Sequence, residues 1–436
     1  MPFSASTTPG SSARAGTYKR KQPNVDRKFI IIGMDDSPRP EFSDEAMRCI
    51  GVAKVFSGGR RHRAIVAPML PAHAEWIEIK APMDEVFARY DAVFARGESE
   101  ASTSIVVFAS GDPLFFGIAN TIRRRLPDAK LTLLPRFNSL QTLAHRLLMP
   151  YDDMRTVSLT GRPWAEFDKA LIERSGKIGV LTDHVHTPAA IATRMIDYGY
   201  SYYTMYVGEH LGHPERECIR RLSPAEASGA EFAQPNCLLL RAEAEDGSPM
   251  PPPPRPFGIA DNHFALLDGR SRMITKSAIR LLSLQAMDLG RRHTLWDIGF
   301  CTGSVSIEAR LQFPHLNVVA FEIRPEGEEL MSVNSRRHGA PGITTLIGDF
   351  LQADVHALPR PDAAFIGGHG GKLDNMISRV RGLLLPGGCI VFNSVSAESR
   401  LTFIRSAEAN GLTLEPTVHI ALDDYNPIDI LKATLP

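Results

Sequence analysis

The stretch 295–309, LWDIGFCTGSVSIEA, constrains the fold more than any other part of the chain. An apolar run ends in Asp297, a glycine turn follows, and a helical pattern begins at Ser304. That order reads as strand, tight turn, helix. Gly299 and Gly303 carry no Cβ, so the backbone can turn sharply there and come close to a ligand. Nineteen residues after Gly303, the apolar run Val318, Val319, Ala320 and Phe321 ends in Glu322. An acid at the tip of a second strand can hold both hydroxyls of a ribose.

Two cofactors suit such a turn: a nicotinamide dinucleotide and S-adenosyl-L-methionine. The dinucleotide fingerprint is G-x-G-x-x-G. Here Gly299 and Gly303 stand four apart with no third glycine, so no pyrophosphate site is spelled out. S-adenosyl-L-methionine is therefore favoured. A glycine turn in some other α/β domain is the plain alternative.

At 436 residues the chain exceeds a single core, and two domains are expected. Basic and acidic residues balance at 49 each, and residues 259–436 hold 17 Lys/Arg against 19 Asp/Glu. This disfavours binding to nucleic acid or an anionic membrane. The five cysteines, Cys49, Cys218, Cys237, Cys301 and Cys389, form no CxxC pair, which suits a reducing cytoplasm. No apolar run approaches the length of a membrane span. Residues 1–26, rich in Ser, Thr, Ala, Pro and Gly, read as a disordered tail.

Phe29-Ile-Ile-Ile-Gly33 reads as a buried strand, followed by a helix capped by Ser43 and a short strand up to Phe56. Residues 57–62, SGGRRH, read as a tight turn in which Arg60 and Arg61 could grip substrate carboxylates, or as a solvated loop. Residues 104–117, SIVVFASGDPLFFG, read as a strand running into Ser110, Gly111 and Asp112, then a helix with Pro113 in its first turn. The carboxyl end of a parallel strand is where ligands bind. Asn138 or Ser139 caps the next helix. Further strands are read at 156–160, 177–181, 203–207 and 236–240, with helices at 165–173 and 188–198. His184 and His186 lack a third ligand nearby, and no metal is expected.

Residues 243–258, with four consecutive prolines, read as a polyproline linker between domains 27–242 and 259–436. Beyond it, an amphipathic helix at 273–285 leads into the opening stretch. Strands and helices then alternate through Asp349 and Phe350, the loop Gly367-Gly-His-Gly-Gly371 and the strand from Cys389 to a last strand at 428–433. The expected fold class is α/β, with a doubly wound parallel sheet in the second half.

Several of these segments together carry a resemblance. The first half resembles the tetrapyrrole (corrin/porphyrin) methylase family at 58–62, 110–117, 158–162, 181–183, 209–212 and 215–216. The second half resembles the class I, Rossmann-like S-adenosylmethionine-dependent C15 methylase/decarboxylases at 273–276, 297–309, 365–371, 385–388 and 393–399. Both in this order resemble the fused C5,15-methyltransferases of cobalamin biosynthesis. The resemblance implies a two-lobed first domain that methylates C5 of a precorrin. It implies a second domain that methylates C15 and decarboxylates the C12 acetate.

Position by position, it implies that residues around Gly299, Phe300, Cys301, Thr302 and Gly303 hold the methionine part of the cofactor, with Thr275 beside them. Glu322 takes the ribose, Asp349 and Phe350 flank the adenine, and Gly367 opens a loop facing the methyl. In the first half Ser110, Gly111 and Asp112 line a cofactor cleft with Ser139 opposite. Arg60, Arg61, Arg162 and His369 are implied substrate contacts. No catalytic acid or base is named. A homo-oligomer is expected by resemblance alone.

Two departures stand out. The family's first loop is G-x-G-P-G-D, and here it is Gly33-Met-Asp-Asp-Ser-Pro38. Cys301 replaces the middle glycine of G-x-G-x-G, which costs roughly 1 kcal/mol or more if that position needs a positive φ. Three rivals follow: a nucleic-acid methyltransferase, a dehydrogenase, and a chain whose first half is a non-catalytic binding or dimerisation module.

Overall fold

The computed structural model describes residues 27–96, 104–244, 247–248, 250–422 and 426–436. The tail expected over 1–26 lies outside the described residues. The chain divides into two compact units, one ending at Asn138 and one beginning at Ser139.

The first unit is built on one sheet of β1 (Lys28–Met34), β2 (Val55–Gly58), β3 (Glu75–Glu78), β4 (Ser104–Ser110) and β5 (Lys130–Leu134). Its order is β3-β2-β4-β1-β5, and every pair is parallel. Phe29, Ile31, Ile105 and Val107 face one core, and Ile32, Phe56, Val106 and Phe108 the other. Burial on both faces is why these strands read as continuous apolar runs. Ser43 caps the helix Asp44–Val52 as expected, its hydroxyl accepting from the Ala46 N–H. Two local readings need correction. Arg60, Arg61 and His62 do not lie in a tight turn. Gly59 is an N-cap, and they form the first turn of the helix Arg60–Val66. Pro113 does not open a helix either; the next helix is Ile118–Arg125, with Gly117 as N-cap.

In the second unit, β6 (Arg155–Ser158), β7 (Lys177–Leu181), β8 (Tyr203–Glu209), β9 (Cys218–Leu222) and β10 (Asn236–Ala242) form a sheet of order β6-β7-β10-β8-β9. Only β6 and β7 pair in parallel.

The remaining sheet of this unit contains β11 (Thr294–Ile298), β12 (Asn317–Glu322), β13 (Ile343–Ile347), β14 (Ala363–Ile366), β15 (Cys389–Ser394), β16 (Thr413–Leu414), β17 (Val418–Ile420) and β18 (Ile428–Thr434). Its order is β13-β12-β11-β14-β15-β18-β16, with β17 also on β18. β13 through β15 are parallel, and β18 is antiparallel. Trp296, Phe321, Phe392 and Phe403 pack one face, while Leu295, Val318, Phe365 and Val391 pack the other. Strand order reverses between β11 and β14. In open α/β sheets that crevice, at the strands' carboxyl ends, receives ligands.

The proline-rich segment is tied down on both sides within the second unit. Arg255 donates to the Ile172 carbonyl at 2.9 Å and to the Tyr200 hydroxyl at 3.2 Å. Tyr200 in turn donates to the Gly339 carbonyl at 2.7 Å. Glu308, fully buried, accepts from the N–H groups of Gly258 at 3.3 Å and Ile259 at 2.9 Å. The segment therefore does not hold its two flanks apart.

Candidate functional site

The turn after β11 is shaped by three left-handed residues, Gly299 (φ 77°), Cys301 (φ 51°) and Gly303 (φ 75°). A Cβ on Gly299 would lie 2.6 Å from both the N and O of Gly368, so the turn and the 367–371 loop touch backbone to backbone. Cys301 does occupy the strained region that its departure from glycine raised. Its N–H donates to Glu322 Oε2 at 2.8 Å, which holds the turn in that conformation. Burial pushes the Cys301 thiol pKa up, and the Glu322 charge adds to the shift. Cys301→Gly is expected to relieve about 1–2 kcal/mol of strain. The freer unfolded chain offsets about 0.4–1 kcal/mol of that. Urea denaturation should therefore show equal or slightly higher stability, never a loss of several kcal/mol.

Glu322 is buried at the tip of β12, and its Oε1 accepts from the Arg324 N–H at 3.1 Å. Its first task is to brace the turn; a carboxylate has about four acceptor positions, so a hydroxyl can still be received.

Asp297 is fully buried. Its Oδ2 accepts from Ser306 N at 3.1 Å and Ser306 Oγ at 2.6 Å, while its Oδ1 has no hydrogen-bond partner. Thr302 Oγ1 is buried and unpartnered too. Burial pushes the Asp297 carboxyl up to about 7, against the hydrogen bonds from Ser306. A carboxyl raised on folding is bound to a proton longer in the native state, so stability falls as pH rises from about 4 to about 7. Asp297→Asn is expected to be more stable than the parent by a few kcal/mol at about pH 8, and level with it near pH 4. Paired denaturation curves at the two pH values measure this.

Asp349 and Phe350 follow the end of β13, and Gly367 and His369 follow the end of β14. Asp349, just beyond β13, accepts from the Leu351 N–H and pairs with Lys372 at 2.9 Å. The Phe350 ring does not face those strand ends. It packs in the core against Phe321 and Trp296, at centroid distances of 5.0 and 6.1 Å, leaving its backbone for a ligand. His369 Nδ1 accepts from the Gly371 N–H at 3.2 Å, so Nε2 carries the proton and can donate. Gly367 donates to the Ile298 carbonyl, and Phe300 is buried beside Gly299. Thr275 precedes the helix Ser277–Met287, and its carbonyl accepts from Arg280 at 2.9 Å. Sequence reasoning missed Asn334, which is fully buried and donates to the carbonyls of Thr302 and Ala265. It sits in a polar helix and gave no pattern.

In the first unit the tips of β1, β4 and β5 meet. A Cβ on Gly33 would fall 1.9 Å from the Gly111 carbonyl oxygen, and one on Gly111 (φ 61°) 2.6 Å from Asn138 Cα. Ser110 ends β4, and Asp112 Oδ1 accepts from the Leu114 N–H at 2.8 Å. Arg61 reaches Ser110 and Asp36, whereas Arg60 points to Glu78 at 2.8 Å. The structure thus separates the two arginines that the sequence put side by side. His62 also contacts Ser110 and was not singled out.

In the second unit Ser139 opens the helix Ser139–Arg146 and bonds to the buried Cys237 thiol, whose pKa burial pushes up to about 12. Arg162 is exposed on the loop after β6. That loop and the one after β7 are joined by Asp183. Burial would raise this carboxyl, but N–H bonds from His186, Gly161 and Val185 hold it well below the usual range. His186 is bound to Asp183, and no cluster suited to a metal occurs among the described residues.

Residues 29–225 match the family model of tetrapyrrole (corrin/porphyrin) methylases, and 268–433 that of the precorrin methyltransferase domain. The chain is 30% identical to a precorrin-6Y C(5,15)-methyltransferase (decarboxylating) of a Sinorhizobium species, over 85% of each chain. Two shorter relatives come from Salmonella typhimurium. One is a cobalt-precorrin-6B C(15)-methyltransferase (decarboxylating), 35% identical over 37% of this chain and 83% of its own. The other is a cobalt-precorrin-7 C(5)-methyltransferase, 28% identical over 49% of this chain and 98% of its own. A relative matched across both halves goes against the reading of the first half as a bare dimerisation module. Paired family models, a reversal of strand order carrying a glycine turn, and this full-length match converge on one conclusion: the chain belongs to the family of decarboxylating precorrin-6Y C(5,15)-methyltransferases.

Proposed function

We propose that the chain binds S-adenosyl-L-methionine at two places and methylates a reduced corrinoid at C5 and C15, removing the C12 acetate carboxylate. Residues 27–242 would carry the C5 reaction and 259–436 the C15 reaction and decarboxylation. The observation that carries this reading is the turn at Gly299. It lies at the reversal of strand order, Gly368 leaves no room there for a side chain, and buried Asp297 holds an unpartnered oxygen beneath it.

These residues fit the cofactor. Asp297 Oδ1 can accept from an ammonium, Glu322 from ribose hydroxyls, and the backbone beside Asp349 and Phe350 can border an adenine. The bound cofactor supplies an electrophilic methyl group on a sulfonium. The protein's part is to hold the ring carbon in line with that methyl, an effect that can reach roughly 7–11 kcal/mol. No nucleophilic side chain is required. Arg61 and Arg162 would meet substrate carboxylates, whereas Arg60 is engaged by Glu78, and His369 Nε2 would donate across the 367–371 loop.

Calorimetric titration of S-adenosyl-L-methionine into the intact chain tests the reading; two sites per chain support it, and one refutes it. If Asp297 meets the cofactor ammonium, binding takes up the ionised carboxylate. Affinity at that site should then fall by up to about tenfold for each pH unit below about 7. A pH-independent affinity would count against that contact.

A further inference from the structure

The carboxyl edge of the first sheet carries a hydrogen-bond relay that methyl transfer as described does not use. His62 Nδ1 accepts the backbone N–H of Gly59 at 3.3 Å. A backbone N–H only donates, so Nδ1 carries no proton and Nε2 does. Nε2 stands 3.0 Å from Ser110 Oγ and therefore donates to it. Arg61 Nη2 donates to the same oxygen at 2.9 Å, while its Nη1 is anchored at 3.1 Å to the largely buried Asp36. A hydroxyl has two acceptor positions and one proton. Both acceptor positions of Ser110 are filled, and its proton is what remains to offer. Burial, aided by Arg61, lowers the His62 pKa to about 4, so the neutral ring keeps this arrangement at physiological pH.

We propose that Ser110 is a committed hydrogen-bond donor, positioned by His62 and Arg61, that receives a carboxylate oxygen of a ligand bound at the first unit. The proposal rests on the reading of a cofactor site in the first half. A cation or a second donor would meet only N–H and O–H groups at Ser110, whereas a carboxylate suits both the hydroxyl and the guanidinium beside it. Two ligands bring one: the methionine end of the cofactor, and the acetate or propionate arms of the corrinoid.

The full-length chain carrying Gly299→Val, which removes the other cofactor site, is the background for the test. S-adenosylhomocysteine and its decarboxylated analogue are titrated into this chain and into versions with Ser110→Ala, His62→Asn or His62→Gln. Corrinoid affinity is read from absorbance. Glutamine can place its amide nitrogen where Nε2 stands, and asparagine falls short. Ser110→Ala and His62→Asn should weaken one carboxylate ligand about tenfold or more, with His62→Gln within about threefold of the parent. A loss for S-adenosylhomocysteine but not for its decarboxylated analogue identifies the cofactor as the source. A loss confined to the corrinoid identifies the substrate arms. Where Ser110→Ala fails to fold, the two His62 variants read the same relay. Unchanged affinities throughout, or equal losses in His62→Gln and His62→Asn, overturn the proposal. A background chain that binds no cofactor at all overturns the two-site reading, and the corrinoid titration then decides this proposal alone.

Discussion

Gly299→Val is expected to reduce the cofactor sites of the intact chain from two to one and to end methylation at C15. Gly299 has φ 77°, where a β-branched side chain is strained by about 1–2 kcal/mol. The steric term is larger. The new Cβ would sit 2.6 Å from two backbone atoms of Gly368, which cannot swing aside as a flexible side chain would. The turn, the 367–371 loop or both must shift. That moves the Cys301 N–H off Glu322 and Gly367 off the Ile298 carbonyl. A displacement of about 1 Å in a site that works by positioning can cost about a hundredfold. Calorimetry and product analysis check the two parts separately; full C15 methylation by a folded Gly299→Val chain would refute the assignment of this turn.

The second large effect concerns stability. Glu308→Ala is expected to destabilise the second unit by about 3–5 kcal/mol, because it leaves Arg280 charged and buried with only the half-buried Asp261 as a counter-charge. Arg280 and Glu308 are both fully buried, 3.4 Å apart, and Asp261 lies 3.4 Å from the same guanidinium. Arg280 also donates to the carbonyls of Thr275 and Ile259. Glu308 secures the N–H groups of Gly258 and Ile259, so its loss frees the end of the proline-rich segment as well. A melting temperature lowered by several degrees, with cofactor binding weakened in parallel, is the expected result.

Part of this was legible in the sequence because the signal is local. Gly299, Gly303 and the acid at 322 are read from spacing, while the positive φ at Cys301 is raised only as a condition, by its departure from the family's glycine pattern. Apolar runs such as 29–32 and 105–109 announced strands buried on both faces. Strand β9, CIRRL, has no such signal: its side chains are mixed and partly exposed. The relay of His62 and Ser110 spans 48 residues and exists only because β2 and β4 are parallel neighbours, which brings the helix after β2 beside the end of β4. Asn334, Glu308 and Arg280 read as ordinary polar helix residues, since burial of a charge is set by tertiary packing. The family resemblance implies Phe350 beside the adenine, but its ring is drawn into the core by Trp296 and Phe321. The prolines at 251–254 promised separation. Arg255, the next residue, bonds to the Ile172 carbonyl and to Tyr200, which donates to the Gly339 carbonyl, so the flanks are joined there.

The most direct test of the whole account is a product count. The intact chain is incubated with its reduced corrinoid and methyl-labelled S-adenosyl-L-methionine, and label and carbon dioxide are measured per ring. The account predicts two methyl groups gained, at C5 and C15, and one carbon dioxide released. A product carrying a single new methyl group would contradict it.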